Sequence, residues 1–246
     1  MKLVKMSSTK MPHSLSKYYA EHAQATLSRA GPSYPTVEFP PDYPKDALDY
    51  IRIAQTKKVL QFLADNTDCG VILEMGCGLG SWTDWLSTRF RLIYASDIAA
   101  SYIAARKWPE NVVAFATDAE YYRPIVNFDL IMMTEVLEHL TEPKNTVQRL
   151  LAYCTYFLAT CPIHEDLNEE GAFDLSRLDH VQAAGDTTGH IWSLDAEGVE
   201  SLFGRSRILL SLDAGTSQLI LARGDVPASR EVDFNGSFNI RSQRSV

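Results

Sequence analysis

Hydrophobic positions along the chain fall into short continuous runs that alternate with stretches of helical spacing. Ile51, Ile53, Ala54, Val59, Leu60 and Leu63 suit an amphipathic helix over 47–63. Gly70-Val-Ile-Leu-Glu-Met is a short apolar run that ends in glycines. Trp82, Trp85, Leu86 and Phe90 fall at helical spacing and predict a helix over 81–90. Leu92 to Asp97 reads as a second strand, Asn111 to Asp118 as a third, Phe128 to Thr134 as a fourth and Tyr156 to Pro162 as a fifth. Helices are expected at 99–107, stopped near Pro109, and at 141–151. Near-continuous apolar strands alternating with helices specify parallel βαβ units, an α/β fold with helices on both faces of a doubly wound sheet. The end of the chain differs. After a helix at 194–203, strands at 207–212 and 218–222 are joined by Asp213-Ala-Gly-Thr. So short a link permits an antiparallel hairpin and no crossover, so a mostly parallel sheet should close with one C-terminal antiparallel pair.

Outside this region the texture changes. Residues 1–45 form an N-terminal extension in which Ser14 to Arg29 can be a helix, while Pro32, Pro35, Pro40, Pro41 and Pro44 bar one further on. Residues 161–193 carry weak strand signals and read as an insertion, and 225–246 is polar and expected to be a mobile tail. The domain itself is assigned to 46–224.

Composition narrows the function classes. At 246 residues, 46% hydrophobic and 22% charged, the chain is an ordinary globular protein with room for a sizeable core. Met1 to Lys10 has three lysines and no apolar stretch, so it is no signal peptide, and no apolar run reaches the ~20 residues of a spanning helix. Cys69, Cys77, Cys154 and Cys161 form no CxxC pair, which fits reduced thiols and a cytoplasmic location. The net charge is −8, so a nucleic-acid partner is not expected.

The chemistry concentrates after the first strand, at Glu74-Met-Gly76-Cys77-Gly78-Leu-Gly80. Glycines there let the backbone turn tightly and approach a ligand, and the following helix offers free N–H groups. Asp97 ends the second strand 21 residues after Gly76, where a doubly wound fold places a carboxylate against ribose hydroxyls. The ligand implied is of adenosine type. A dinucleotide fingerprint would need glycine at position 81, which is Ser81, and no Gly-Lys-Ser/Thr follows for a Walker loop.

Val71-Ile-Leu-Glu-Met-Gly-Cys-Gly-Leu-Gly resembles motif I of the class I S-adenosylmethionine-dependent methyltransferases. Asp97 matches the acid after their second strand. Thr117-Asp118-Ala119 resembles the segment that meets adenine, and Phe128-Asp-Leu-Ile-Met-Met-Thr134-Glu135-Val-Leu-Glu138-His139-Leu resembles their fourth strand and its turn. The resemblance spans 47–223 and is nearest the small-molecule, ubiquinone-pathway-like branch. It implies a seven-stranded sheet of order 3-2-1-4-5-7-6. It also implies S-adenosylmethionine as cofactor, held by Glu74, Gly76, Cys77, Gly78, Gly80, Asp97, Ile98, Asp118, Ala119, Thr134 and Glu135.

For the acceptor, His164 follows the fifth strand, where family members contact it, and His190 lies in a Gly-His element that relatives also carry. A histidine near neutral pKa can take a proton from an attacking hydroxyl or ammonium, so both are candidate bases. Tyr18, Tyr19 and His22 resemble a helix that lids the cofactor in relatives, and with Trp192 they are candidate substrate contacts. Trp82 and Trp85 are expected to pack in the core, and Cys77 to serve as a small residue. No metal is expected, although Glu135, Glu138 and His139 would share a face if their turn were helical, as in small-RNA 2′-O-methyltransferases. From Cys161 to Glu200 ten acids stand against one base, Arg177, which disfavours anionic acceptors. The expected activity is methyl transfer to oxygen or nitrogen of a small molecule. The alternatives are a metal-assisted RNA 2′-O-methyltransferase and a non-catalytic S-adenosylmethionine-binding module.

Overall fold

The computed structural model describes residues 47–163, 194–215 and 217–230, together with Val232 and Phe234. Helix α1 (Ala47–Asn66) leads into strand β1 (Val71–Met75), helix α2 (Ser81–Ser87) and strand β2 (Leu92–Asp97). Helix α3 (Ala100–Ala104), strand β3 (Val112–Ala116), strand β4 (Phe128–Thr134), helix α4 (Pro143–Leu151) and strand β5 (Cys154–Pro162) follow. Helix α5 (Ala196–Phe203) precedes the hairpin of strand β6 (Ile208–Asp213) and strand β7 (Ser217–Arg223). The sheet has seven strands in the order β3-β2-β1-β4-β5-β7-β6, the expected one. The pairs from β3 to β5 are parallel, and β7 lies antiparallel to both β5 and β6.

Alternation along the strands sorts side chains to two cores. Leu73 and Met75 of β1 with Ile131 and Met133 of β4 face α4 and α5, where Val147, Leu150, Val199, Leu202 and Phe203 are buried. Ile72, Leu130 and Met132 face the other way, onto Val59, Leu60 and Leu63 of α1 and Leu86 of α2. Each such side chain contributes ~1.5–3 kcal/mol on burial, so the central strands are held from both sides.

Three elements stop earlier than expected. Helix α2 ends at Ser87, and the backbone closes there with the amides of Arg89 and Phe90 both donating to Leu86 O. Phe90 still reaches the core, from a turn instead of a helix. Helix α3 stops at Ala104, because Arg106 and Trp108 are drawn toward the glycine loop. Strand β3 keeps only Val112–Ala116, with Asp118 already in a turn. In the segment expected to be a mobile tail, Phe234 is buried, its ring 5.3 Å from Phe62 and 5.8 Å from Tyr156. An aromatic residue in a polar segment found an apolar cleft on the α1 face. Trp82 and Trp85 pack edge to face at 6.1 Å against the same core, as expected.

Candidate active site

Parallel strands β1 to β5 direct their carboxyl ends to one side of the sheet, the side on which open α/β folds bind ligands. The chain leaving β1 turns through Gly76, Gly78 and Gly80, all at positive φ (77°, 53° and 85°). The amides of Gly76 and Cys77 both donate to Ser96 O, at 2.8 and 2.9 Å, which ties the loop to β2. Gly78 N donates to Asp97 Oδ2 and Ala99 N to Asp97 Oδ1, each at 2.8 Å. Asp97 therefore braces the loop and the start of α3 at once. Asp97 is 9% exposed. Burial raises its pKa, and the backbone N–H groups of Ala99, Gly78 and Ile98 work against that rise. Ile98 is half-buried beside it.

The two neighbours of Gly78 are closely covered. A Cβ on Gly76 would overlap Val136 Cγ2, and one on Gly80 would lie 2.5 Å from the Trp108 ring. A Cβ on Gly78 would meet no described residue within 4 Å. The loop thus shows bare backbone to open space at one point, beside the Asp97 carboxylate. Further along the mouth, Asp118 Oδ1 accepts from Glu120 N at 2.8 Å, and Arg149 Nη2 donates to Ala119 O at 2.6 Å. Burial raises the Asp118 pKa, opposed first by the Glu120 amide.

Glu74, expected among the cofactor contacts, points beneath the loop. It is 2% exposed and accepts from Thr83 Oγ1 at 2.6 Å. Burial pushes its pKa up to about 8, with the Thr83 hydrogen bond opposing. Cys77 is buried, and burial raises its thiol pKa well above the ordinary value, which leaves it inert as a nucleophile. Two groups that no motif signalled hold the loop from outside. Arg106 donates to Leu79 O at 2.9 Å and to both oxygens of Asp84 at 2.6 and 2.8 Å. Its guanidinium sits 4.8 Å from the Trp108 ring centre.

After β4, Thr134 is half-buried and Glu135 takes φ 55°, a left-handed backbone that only glycine adopts freely. Glu135 Oε1 accepts from Thr160 Oγ1 at 2.8 Å and Ser217 Oγ at 3.2 Å, and Oε2 pairs with Arg52 at 2.5 Å. A single 3₁₀ turn follows at Leu137–His139. Glu138 is 1% exposed and lies 3.6 Å from His139 Nε2. Burial and the neighbouring Glu135 charge push the Glu138 pKa up to about 8. The left-handed residue and the 3₁₀ turn replace the helical face on which Glu135, Glu138 and His139 would have stood together. Among the described residues, no group of three His, Cys, Asp or Glu side chains is disposed to hold a metal ion. His164, His190, Trp192, Tyr18, Tyr19 and His22 lie outside the described residues.

Residues 48–206 match the family model described as a methyltransferase domain. The chain belongs to that family. Its sheet order and glycine loop are those of the class I S-adenosylmethionine-dependent enzymes, and S-adenosylmethionine is its cofactor. No curated protein matches the chain. Among solved structures, the magnesium protoporphyrin IX methyltransferase of Synechocystis, with S-adenosylhomocysteine bound, aligns at a TM-score of 0.56. It shares 14% identity, over 85% of this chain and 98% of its own. The N-methyltransferase NodS of Bradyrhizobium japonicum, also with S-adenosylhomocysteine, aligns at 0.55 and 14% identity, over 84% of this chain and 98% of its own. A DhpI–S-adenosylhomocysteine complex aligns at 0.58 and 14%, over 88% and 100%. At such identities the likeness is one of fold. Among the described residues of this methyltransferase, no helix is long and apolar enough to cross a membrane.

Proposed function

We propose that this methyltransferase acts on oxygen or nitrogen of a small-molecule acceptor in the cytoplasm. The observation that carries the reading is the charge of the acceptor-side stretch, ten acids to one base between Cys161 and Glu200 in a chain of net charge −8. A surface of that sign repels a polyanion and admits a neutral or cationic small molecule. Two of the structures similar in fold are named for small-molecule or N-methyl transfer, the magnesium protoporphyrin IX enzyme and NodS, which agrees with the reading.

S-adenosylmethionine, when bound, supplies a methyl group already activated on sulfonium sulfur. The chain's own residues orient and shield. Asp97 accepts from the ribose hydroxyls, Gly78 lets the backbone approach, and Asp118 with Ala119 borders the adenine. Cys77 and Thr134 complete the wall nearest the strand ends. Holding nucleophile, carbon and leaving group in line is worth ~7–11 kcal/mol of barrier. His190, or His164 after β5, takes the proton that the acceptor releases. Tyr18, Tyr19, His22 and Trp192 wall the acceptor.

The test is release of S-adenosylhomocysteine by purified protein against two acceptor pools. One is a metabolite extract filtered free of macromolecules, and the other is total RNA, each with and without chelator. Turnover with the metabolite pool, indifferent to chelator, is the expected result. Turnover with RNA alone would overturn the acceptor class, and no turnover with either pool, despite S-adenosylmethionine binding, would leave a binding module.

A further inference from the structure

Among the non-glycine residues described, Glu135 alone has positive φ, and it sits at the mouth of the sheet. A left-handed conformation costs ~1–2 kcal/mol for a residue with a Cβ, so something must hold it. Four contacts from three separate elements do. Glu135 N donates to Thr160 O at 3.0 Å, and the carboxylate is gripped by Thr160 and Ser217 hydroxyls and by Arg52 of α1. The consequence lies one residue later. Val136 is placed against Gly76, close enough that no other side chain fits at position 76. Gly76 and Cys77 are the residues whose amides fasten the loop to Ser96 O.

We propose that Glu135 is a positioning residue: pinned by Arg52, it sets Val136 against Gly76 and so holds the glycine loop in the shape that receives the cofactor. The chain of contact runs from α1 through the end of β4 to the end of β1. Helix α1 is also where the N-terminal segment joins the domain, so a shift of that helix reaches the loop through one ion pair. The proposal rests on the loop's being the cofactor site, and its first readout is independent of any ligand.

Amide hydrogen exchange of the free protein reads the loop directly. Arg52→Met and Glu135→Gly should each speed exchange at Gly76 and Cys77 by about five- to tenfold, with the central amides of β5 unchanged. Glycine at 135 removes the carboxylate without backbone strain, so the loosening reports the lost contacts. The double variant should show no more than the larger single effect, because both break one link. Arg52→Lys, which keeps a cation for a single oxygen contact, should stay within about twofold of wild type. S-adenosylhomocysteine affinity by calorimetry should fall in parallel with loop exchange. In turnover the KM for S-adenosylmethionine should rise by a similar factor with kcat nearly unmoved, whereas a general loss of folded protein would lower kcat alone. Unchanged loop exchange in both single variants, or effects that add in the double variant, would overturn the proposal. If the wild-type protein fails to bind S-adenosylhomocysteine, the functional reading falls, and the exchange data still decide the positioning claim.

Discussion

Replacing Asp97 with asparagine separates the two duties of that residue. Its carboxylate accepts from Gly78 N and Ala99 N at 2.8 Å each, and it ends the second strand at the mouth of the sheet. Asparagine preserves shape but offers one acceptor oxygen, so its NH₂ must face one of the two backbone N–H groups. One nearly buried donor then goes unsatisfied, at ~1–3 kcal/mol of stability. Toward the ligand, the loss is a charge-assisted hydrogen bond from ribose, ~1.5–3 kcal/mol, or about ten- to a hundredfold in affinity. Both losses would weaken S-adenosylhomocysteine, so affinity alone does not assign the contact. The ratio of affinities for S-adenosylhomocysteine and its 2′-deoxy counterpart does. Wild type should prefer the ribose form by roughly tenfold, and folded Asp97→Asn should lose most of that preference. Calorimetry with both ligands on both proteins completes the cycle. If Asp97→Asn binds more weakly but keeps the full preference, Asp97 only shapes the loop and its contact with ribose is refuted.

Further predictions follow from neighbouring contacts. Gly76→Ala meets both a positive φ and Val136, and should cost about 2–5 kcal/mol in chemical denaturation, whereas Gly78→Ala meets only the ~1–2 kcal/mol backbone term and should lose S-adenosylhomocysteine affinity out of proportion to its stability. Arg106→Met keeps the stem over Trp108 but drops the bonds to Asp84 and Leu79 O; a loss of about 1 kcal/mol in stability, since both charged groups are part-exposed, should come with several-fold weaker S-adenosylhomocysteine binding by calorimetry. Glu74 has a pKa raised from 4.5 to about 8, so between those values the folded state holds a proton that the unfolded state has lost, and stability should fall as pH rises from about 4.5 through 8, by up to about 5 kcal/mol from this group. Urea unfolding across that range should show a flatter slope in Glu74→Gln.

The fold was legible because its signals are local. Seven apolar runs with β-rich composition, each bounded by glycine, proline or polar clusters, gave seven strands, and the short link between the last two admitted only a hairpin. Asp97 was legible for the same reason, since one βα unit fixes its distance from Gly76. Helix ends were less so. The stop at Ala104 depends on what Arg106 binds, and that partner, Asp84, lies 22 residues away. The turn after β4 was left open, because a Glu-x-x-Glu-His string has helical spacing while the backbone there obeys Glu135's partners at positions 52, 160 and 217. Periodicity carries no information about pairs so distant in sequence.

The glycine loop shows what such distance means for reading a motif. In sequence Gly76, Gly78 and Gly80 are three equal letters of one pattern, each a place for a ligand to meet bare backbone. In the folded chain they answer to different neighbours. Gly76 is glycine because Val136 occupies the space of its Cβ, and Gly80 because Trp108 and Arg106 do. Both carry, beside their positive φ, a demand of packing within the protein, made by residues that lie 60, 28 and 26 positions later in the chain. Among the described residues none covers Gly78, which stands next to the carboxylate that would hold the ribose. The motif is therefore one ligand-facing glycine between two that let the scaffold close around it. Trimming the neighbour, as in Gly76→Ala with Val136→Ala, should relieve the overlap and leave the ~1–2 kcal/mol of positive-φ strain, while no change elsewhere in the protein should rescue ligand affinity at 78.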